Sequence, residues 1–315
     1  MNPSVTALHI VMERRRFGST DLEITPVGVG TAPIGSLPGV WWVNWGPQDE
    51  GDSVRAIHAA LDAGVNWIDT APFYGWGRAE EVVGRALSGR DDVLVFTKCG
   101  TIRRADGDDT MDLSPDAIRA DVDASLRRLG VERLDLLQIH DRDPSVPIEE
   151  TWGTVLELVE AGKVRHGGIS NHRPEEVERA LAVGPVAGLQ YEYSVLARGV
   201  EEAILPLALE RGLGLIVWSP LASGFLTDGF DVGALAADDF RRTHRFAELE
   251  LGPVRAALRG DGRSAAQGAI GWVLSHPAVT GAIVGVRNAR EAAELTQAAT
   301  ERLAPDERAA IASAA

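Results

Sequence analysis

The stretch VLVFTKCGTIRRADGDDTMDLSPDAIRADVDASLRRLGVERLDLLQIH, residues 93–140, carries the pattern that decides the fold. It opens and closes on short apolar runs, Val93–Lys98 and Leu134–His140, of the length and continuity that buried parallel strands show. Between them Ile118, Val122, Leu126 and Leu129 recur at spacings of four, four and three, which lays one apolar stripe along a helix. Ser114-Pro115 supplies an N-cap with proline at the first helical position, and Gly130 stops the helix just past Leu129. The segment therefore reads as strand, helix, strand, with Lys98 and His140 at the carboxyl ends of the two strands.

The same alternation extends in both directions. Further apolar runs lie at Val27–Gly30, Val65–Asp69, Val164–Ser170, Val186–Tyr191, Leu215–Trp218 and Thr280–Gly285, which makes eight. Helical stripes such as Val54, Ile57, Leu61 and Trp152, Val155, Leu158, Val159 fall between them, the second ended by Gly162. Eight buried strands alternating with helices predict an α/β fold, the closed (β/α)8 TIM barrel, which takes roughly 250 residues. One barrel domain is expected over residues 17–315, with 1–16 a loose leader and Met12 an alternative start. Residues 13–26 read as a hairpin plugging the amino-terminal end. The interval before the last strand is overlong, and its excess, Ser219–Gly262, reads as a long loop on the carboxyl-terminal face, where barrels keep their active sites. The first loop of that face carries Trp41, Trp42 and Trp45, a substrate wall or plain loop packing.

Composition removes several functions. Lys plus Arg number 31 against 46 Asp plus Glu, a net charge of −15, and that field repels nucleic acid and anionic membrane alike. The single cysteine, Cys99, allows no internal disulfide and no thiolate cluster for a metal, and reads as a small core hydrophobe. No apolar stretch of signal-peptide length follows Arg14–Arg16, and none approaches the ~18 residues of a membrane span. A cytoplasmic protein is expected.

Common catalytic signatures are missing: no HExxH, no GxSxG, no P-loop, and GVGTAP at 28–33 has proline where the dinucleotide fingerprint needs its third glycine. What stands out is a set of polar residues at successive strand ends: Asp69, Lys98 and His140, with Tyr74 five residues beyond Asp69. Each alone is ordinary. Three ionisable groups at one end of three neighbouring strands are costly to desolvate unless paired, and pairing them makes a site.

At these residues the chain resembles the aldo-keto reductases, in particular the bacterial branch of general-stress and inositol-locus reductases. The carriers are F-G-x-T-x-L-x-I-x-x-V-G-x-G-T at 17–31, G-V-N-W-I-D-T-A-P-x-Y-G at 64–75, E-E-V-V-G-R-A-L at 80–87 and F-T-K at 96–98. They continue with S-L-x-R-L-G at 125–130, D-L-L-Q-I-H at 135–140, G-K-V-R-x-x-G-I-S-N at 162–171, Gln190-Tyr191 and S-P-L at 219–221. The resemblance implies an NAD(P)H-dependent oxidoreductase that reduces a small-molecule aldehyde or ketone reversibly, with hydride from the nicotinamide and a proton from Tyr74. Asp69, Tyr74, Lys98 and His140 would form its tetrad: Tyr74 the acid, Lys98 lowering its pKa, Asp69 holding Lys98, and neutral His140 directing the carbonyl. A cation about 4 Å away is worth on the order of 4 kcal/mol at an effective dielectric of about 20, enough to move a phenol by a few pKa units.

The resemblance also implies the cofactor residues. Gly30 and Thr31 end the first strand; Ser170, Asn171 and Gln190 would hold the carboxamide; and Trp218 stands where relatives stack tyrosine or phenylalanine on the nicotinamide. Ser219, Pro220, Leu221, Gly224 and Leu226 would meet the pyrophosphate, through backbone amides of 221–226. Gly285, Arg287, Asn288, Glu291 and Glu294 would meet the adenosine half, with Glu291 and Leu295 departing from the residues usual there. Arg287 and the helix start favour NADP(H), softened by Glu291, so NAD(H) stays usable. Two other readings share the scaffold: a Schiff-base aldolase using Lys98, and a nicotinamide-binding regulatory subunit with little turnover. The motifs single out neither a substrate nor an oligomeric state.

Overall fold

Eight parallel strands close into a barrel in a computed structural model that describes residues 12–36, 44–103, 109–260 and 262–315, without the side chain of Leu295. The barrel strands are β1 Val27–Gly30, β2 Trp67–Asp69, β3 Leu94–Cys99, β4 Leu134–Ile139, β5 Val164–Ser170, β6 Gly188–Glu192, β7 Gly214–Trp218 and β8 Gly281–Gly285. Closure is made by β8 on β1, with Ile283 opposite Gly28 and Gly285 opposite Gly30. The eight apolar runs of the sequence are these eight strands, and the expected (β/α)8 barrel is the fold. Among the described residues no helix is long and apolar enough to cross a membrane.

One face of the strands fills the barrel and the other packs under the helices. Trp67, Phe96, Leu136, Ile216 and Ile283 fill the amino-terminal half of the barrel together with Phe17, Leu22 and Ile24. Those last three come from a hairpin, Arg15–Arg16 paired with Glu23–Ile24, that plugs this end as expected. Its first strand starts two residues before the expected domain boundary at 17, because Arg15 pairs with Ile24 across the hairpin. Gly188 and Gly214 make room for the plug: a Cβ on either would stand within 2.4 Å of the Phe17 ring.

The helix expected after Ser114 runs Pro115–Leu129, with Gly130 left-handed at its end. Ser114, however, makes no side-chain cap bond; its own N–H is held by Asp112 Oδ1 at 3.0 Å. A second small hairpin, Thr101–Arg103 with Asp109–Met111, stands above β3. Its strands are three residues each and polar, too short to register as a period.

The long segment 219–262 is built rather than loose. It holds short helical turns at Ala222–Gly224, Val232–Ala234 and Phe240–Thr243 and the helix Gly252–Leu258. It is strapped to the first loop of the same face: Asn44 Nδ2 donates to Asp238 Oδ2 at 2.8 Å, the Phe240 N–H to Asn44 O at 3.3 Å, and Trp45 meets the Phe240 ring edge-on at 4.8 Å. Trp41 and Trp42 lie outside the described residues.

Candidate active site

Parallel register brings the polar strand ends to one level. Gly30 is opposite Asp69, Lys98 opposite Gln138, Gln138 opposite Gly168, and Gln190 opposite Ser170. Asp69 and Lys98 are 1% exposed, and their carboxylate and ammonium groups form a salt bridge at the floor of the site. Lys98 Nζ also donates to Thr70 O at 3.0 Å. The other Asp69 oxygen accepts from Gln138 Nε2 at 3.1 Å and Gln190 Nε2 at 2.8 Å, and Gln190 donates to Gln138 Oε1 as well. A buried ion pair is stable only when its remaining lone pairs are met in this way. Gln138 lies within the D-L-L-Q-I-H motif, but its part in holding Asp69 becomes visible only through the register.

Tyr74 sits above the pair in the turn after β2, where its N–H is held by Ala71 O at 3.1 Å. A Cβ on Gly35 would stand 2.5 Å from the Tyr74 carbonyl carbon, so a bare glycine lets the first loop close on that turn. The Tyr74 side chain is hydrogen-bonded to Lys98, whose Nζ lies 5.1 Å from the ring centroid. His140, at the end of β4, stands with its ring perpendicular to Tyr74 at 5.9 Å, and Phe73 backs it at 5.8 Å. His140 Nδ1 is 3.3 Å from Thr101 Oγ1, a partner supplied by the unanticipated hairpin. Sequence reasoning also passed over Phe73 and Trp76, which pack edge-on at 5.3 Å in one cluster with Trp45 and Tyr74.

The electrostatics differ from the expectation in one respect. Burial pushes the Tyr74 hydroxyl above its ordinary value and outweighs the downward pull of Lys98, so the phenol is protonated. Burial acts to lower Lys98, but Asp69 and Tyr74 outweigh it and hold the ammonium above its ordinary value. Burial, with Lys98 adding to it, pushes His140 down to about 3, so the imidazole is neutral. The set comprises one protonated phenol, one neutral imidazole and one fixed cation balanced by a carboxylate.

Next to this set lie the expected cofactor residues. Ser170 Oγ is fully buried and has no hydrogen-bond partner among the described residues, an orphaned hydroxyl of the kind that a ligand amide satisfies. Asn171, with φ 58°, donates to His140 O at 3.0 Å and accepts from Trp218 Nε1 at 3.3 Å. Trp218 is half-buried and lines a cavity of about 680 Å³ with Glu192, Ser223 and the strap around Phe240. Gly30 and Thr31 support from below: both are buried, and the Thr31 hydroxyl donates to Asp69 O at 3.1 Å.

After β7 the backbone is held in rare conformations, with positive φ at Ser219, Ala222, Ser223 and Gly224. Such strain gathers at functional sites. The amides expected to receive a pyrophosphate are mostly spent, however: those of Ala222, Ser223, Gly224, Phe225 and Leu226 all donate within the turn. Pro220 offers no N–H, which leaves side chains and the Leu221 amide.

At the start of the helix Ala289–Gln297, which follows Gly285 and β8, the residues expected to meet the adenosine half stand together. The Glu291 carboxylate accepts from the Arg287 N–H at 2.9 Å and Asn288 Nδ2 at 2.8 Å. The Arg287 guanidinium turns away, donating to Gln48 Oε1 at 2.9 Å and Pro47 O at 2.6 Å. Glu294 is half-buried on the same helix, with its carbonyl meeting Gln267 Nε2 at 3.3 Å.

A model of the aldo/keto reductase family matches residues 26–315. The chain belongs to that family. Among relatives, this reductase is 35% identical over 294 residues to aldo-keto reductase YhdN of Bacillus subtilis, covering 88% of this chain and 85% of that one. It is 37% identical over 212 residues to probable aldo-keto reductase 1 of Glycine max, 67% of this chain and 60% of the other. Among solved structures, the glycerol dehydrogenase AKR11B4 from Gluconobacter oxydans superposes with a TM-score of 0.85 at 32% identity, over 96% of this chain and 94% of the other. The holo form of AKR11C1 from Bacillus halodurans does so with 0.80 at 30% identity, covering 96% of each. Family membership makes the protein an oxidoreductase of small-molecule carbonyls that uses a nicotinamide cofactor.

Proposed function

We propose that this aldo/keto reductase reduces a small aldehyde or ketone to the alcohol, reversibly, with Tyr74 as the proton donor. The observation that carries the reading is the protonated Tyr74 standing over a buried Lys98–Asp69 pair and beside a neutral His140. When bound, a reduced nicotinamide supplies hydride to the carbonyl carbon. The chain manages the charge that then grows on oxygen. A carbonyl oxygen lodged between Tyr74 and His140 accepts from the phenol and, in the tautomer whose Nδ1 accepts from Thr101, from His140 Nε2–H. As the oxygen becomes basic it takes the phenolic proton, and Lys98 stabilises the phenolate left behind. Asp69 with Gln138 and Gln190 keeps Lys98 in place.

The orphaned Ser170 hydroxyl, with Asn171 and Gln190, fits the ring carboxamide, and Trp218 offers a stacking face. Ser219–Leu226 and Gly285–Glu294 would meet the rest of the dinucleotide. Trp45, Phe73 and Trp76 form a wall beside Tyr74 suited to an apolar substrate face. A Schiff base at Lys98 would need a neutral amine, and the ion pair with Asp69 opposes it. A silent regulatory subunit would have no use for a complete proton relay. Incubating the protein with a panel of small aldehydes, ketones and polyols, the last because one solved relative is a glycerol dehydrogenase, and following nicotinamide absorbance tests the reading. Turnover on at least one class is expected; nucleotide binding with no turnover across the panel would favour the regulatory reading instead.

A further inference from the structure

The end of the barrel opposite the tetrad holds a cavity that the reductase reading leaves unused. Its volume is about 420 Å³, and it lies between the plug hairpin, residues 275–280 leading into β8, and Arg302 and Leu303 ahead of the last helix, Pro305–Ser313. We propose that this cavity binds a small phosphate monoester, a ligand separate from carbonyl and nucleotide, with its phosphate group among Arg15, Arg16 and Arg302. The proposal goes beyond the reading above and does not depend on it.

Charge is the first observation. The chain carries a net −15, yet three guanidinium groups and the His276 ring line this cavity, and among the described residues no carboxylate does. Walls of one sign around a low-dielectric recess concentrate the field and draw in the opposite charge. The arginines are crowded: the Arg15 side chain is 19% exposed, and burial, with Arg302 adding to it, holds its pKa below the ordinary value. Glu13, which is not among the lining residues, offsets part of this. Its carboxylate accepts from Arg302 Nη2 at 2.9 Å and lies 3.9 Å from Arg15 Nε. Arg15 and Arg302 thus converge on a space that one acid group spans, and the acid group now there is 62% exposed and replaceable.

The second observation is the supply of donors. Arg15 commits Nη1 to Val279 O at 3.1 Å and Arg16 commits Nε to Thr20 O at 2.6 Å, which leaves Arg15 Nη2 and both terminal nitrogens of Arg16 without a partner among the described residues. His276 Nδ1 accepts from the Ala278 N–H at 3.2 Å, so the neutral ring keeps its proton on Nε2 as a further donor. One carboxylate cannot balance three guanidinium groups; a phosphate presents several acceptor oxygens and a charge approaching −2 to them. Leu274, Pro277, Val279 and Leu303 supply an apolar wall for the carbon side of an ester, and the volume falls within the roughly 300–1,000 Å³ usual for small-molecule sites.

Isothermal titration of the full-length protein with ethyl phosphate and with inorganic phosphate, at constant ionic strength and with saturating NADPH present, reads this site apart from the nucleotide cleft. Ethyl phosphate is expected to bind, and inorganic phosphate to bind about threefold more weakly for want of the apolar contact. Arg16→Gln and Arg302→Gln are each expected to weaken the ester about tenfold, and Glu13→Gln, which removes the competing carboxylate, to tighten it about threefold. Opposite signs from neighbouring substitutions separate a ligand site from arginines that only staple the hairpin to β8. No binding by the wild type, inorganic phosphate binding as tightly as the ester, or an affinity unmoved in both arginine variants would overturn the proposal, the last by placing the ester elsewhere on the protein.

Discussion

Lys98 and Asp69 are each other's principal reason for being charged in the barrel. Lys98→Met removes the cation and leaves a buried carboxylate facing only Gln138 and Gln190, so a loss of about 3–5 kcal/mol is expected in urea denaturation, far above that of a surface pair. The same substitution removes the one influence that lowers the Tyr74 pKa. Alcohol oxidation, which needs the phenolate, is then expected to rise with pH only at higher pH than in the wild type; an unmoved profile would exclude Lys98 as the neighbour that tunes Tyr74. His140 gives a second pH dependence. Its folded pKa, about 3, lies below the ordinary value of 6.5, so the unfolded chain binds more protons between those limits. Its contribution to stability is complete above about pH 6.5 and is lost as pH falls toward 3, so wild type should lose more stability than His140→Gln between pH 7 and 4. At this scale the sequence was informative where chemistry is tied to residue type. Asp69, Tyr74, Lys98 and His140 come together as read. Gln138, Thr101 and the latch of Arg287 on Gln48 escaped because each depends on a partner distant in the chain.

Elements divide in the same way. Barrel strands were legible because a strand covered on both faces writes itself as an unbroken apolar run, and their helices because one stripe must face the sheet. The hairpin over β3 was hidden, its strands being short and polar. The plug was legible, and it offers a test of packing: Phe17 is fully buried against Gly188 and Gly214, so Phe17→Ala is expected to cost about 3–5 kcal/mol in the denaturation midpoint with little effect on nucleotide affinity. The strap 219–262 lines the cavity beside Trp218. Its tie to the first loop runs through Asn44, which meets both Asp238 and the Phe240 backbone. Asn44→Ala is expected to speed proteolysis within 219–262 several-fold, and bound nucleotide to slow it; equal cleavage in variant and wild type would show that Asn44 is not the tie.

The whole molecule keeps stability and chemistry at opposite ends of one barrel. Phe17, Trp67 and Phe96 fill the amino-terminal end, while the buried Lys98–Asp69 pair lies where the strands finish. A shared barrel also explains why the reaction class was legible and the substrate was not: Asp69, Lys98 and His140 are set by strand ends, whereas the loops around them meet only in three dimensions, as Trp45 meets Phe240. The central claim is that Tyr74 delivers the proton. Tyr74→Phe keeps the ring that packs beside His140 and removes only the hydroxyl, so the most direct measurement is a single-turnover assay, in variant and wild type, of bound reduced nicotinamide oxidised by an accepted carbonyl. The account predicts unchanged nucleotide affinity with oxidation slowed by about 10²–10⁴-fold in Tyr74→Phe; oxidation near the wild-type rate would contradict it.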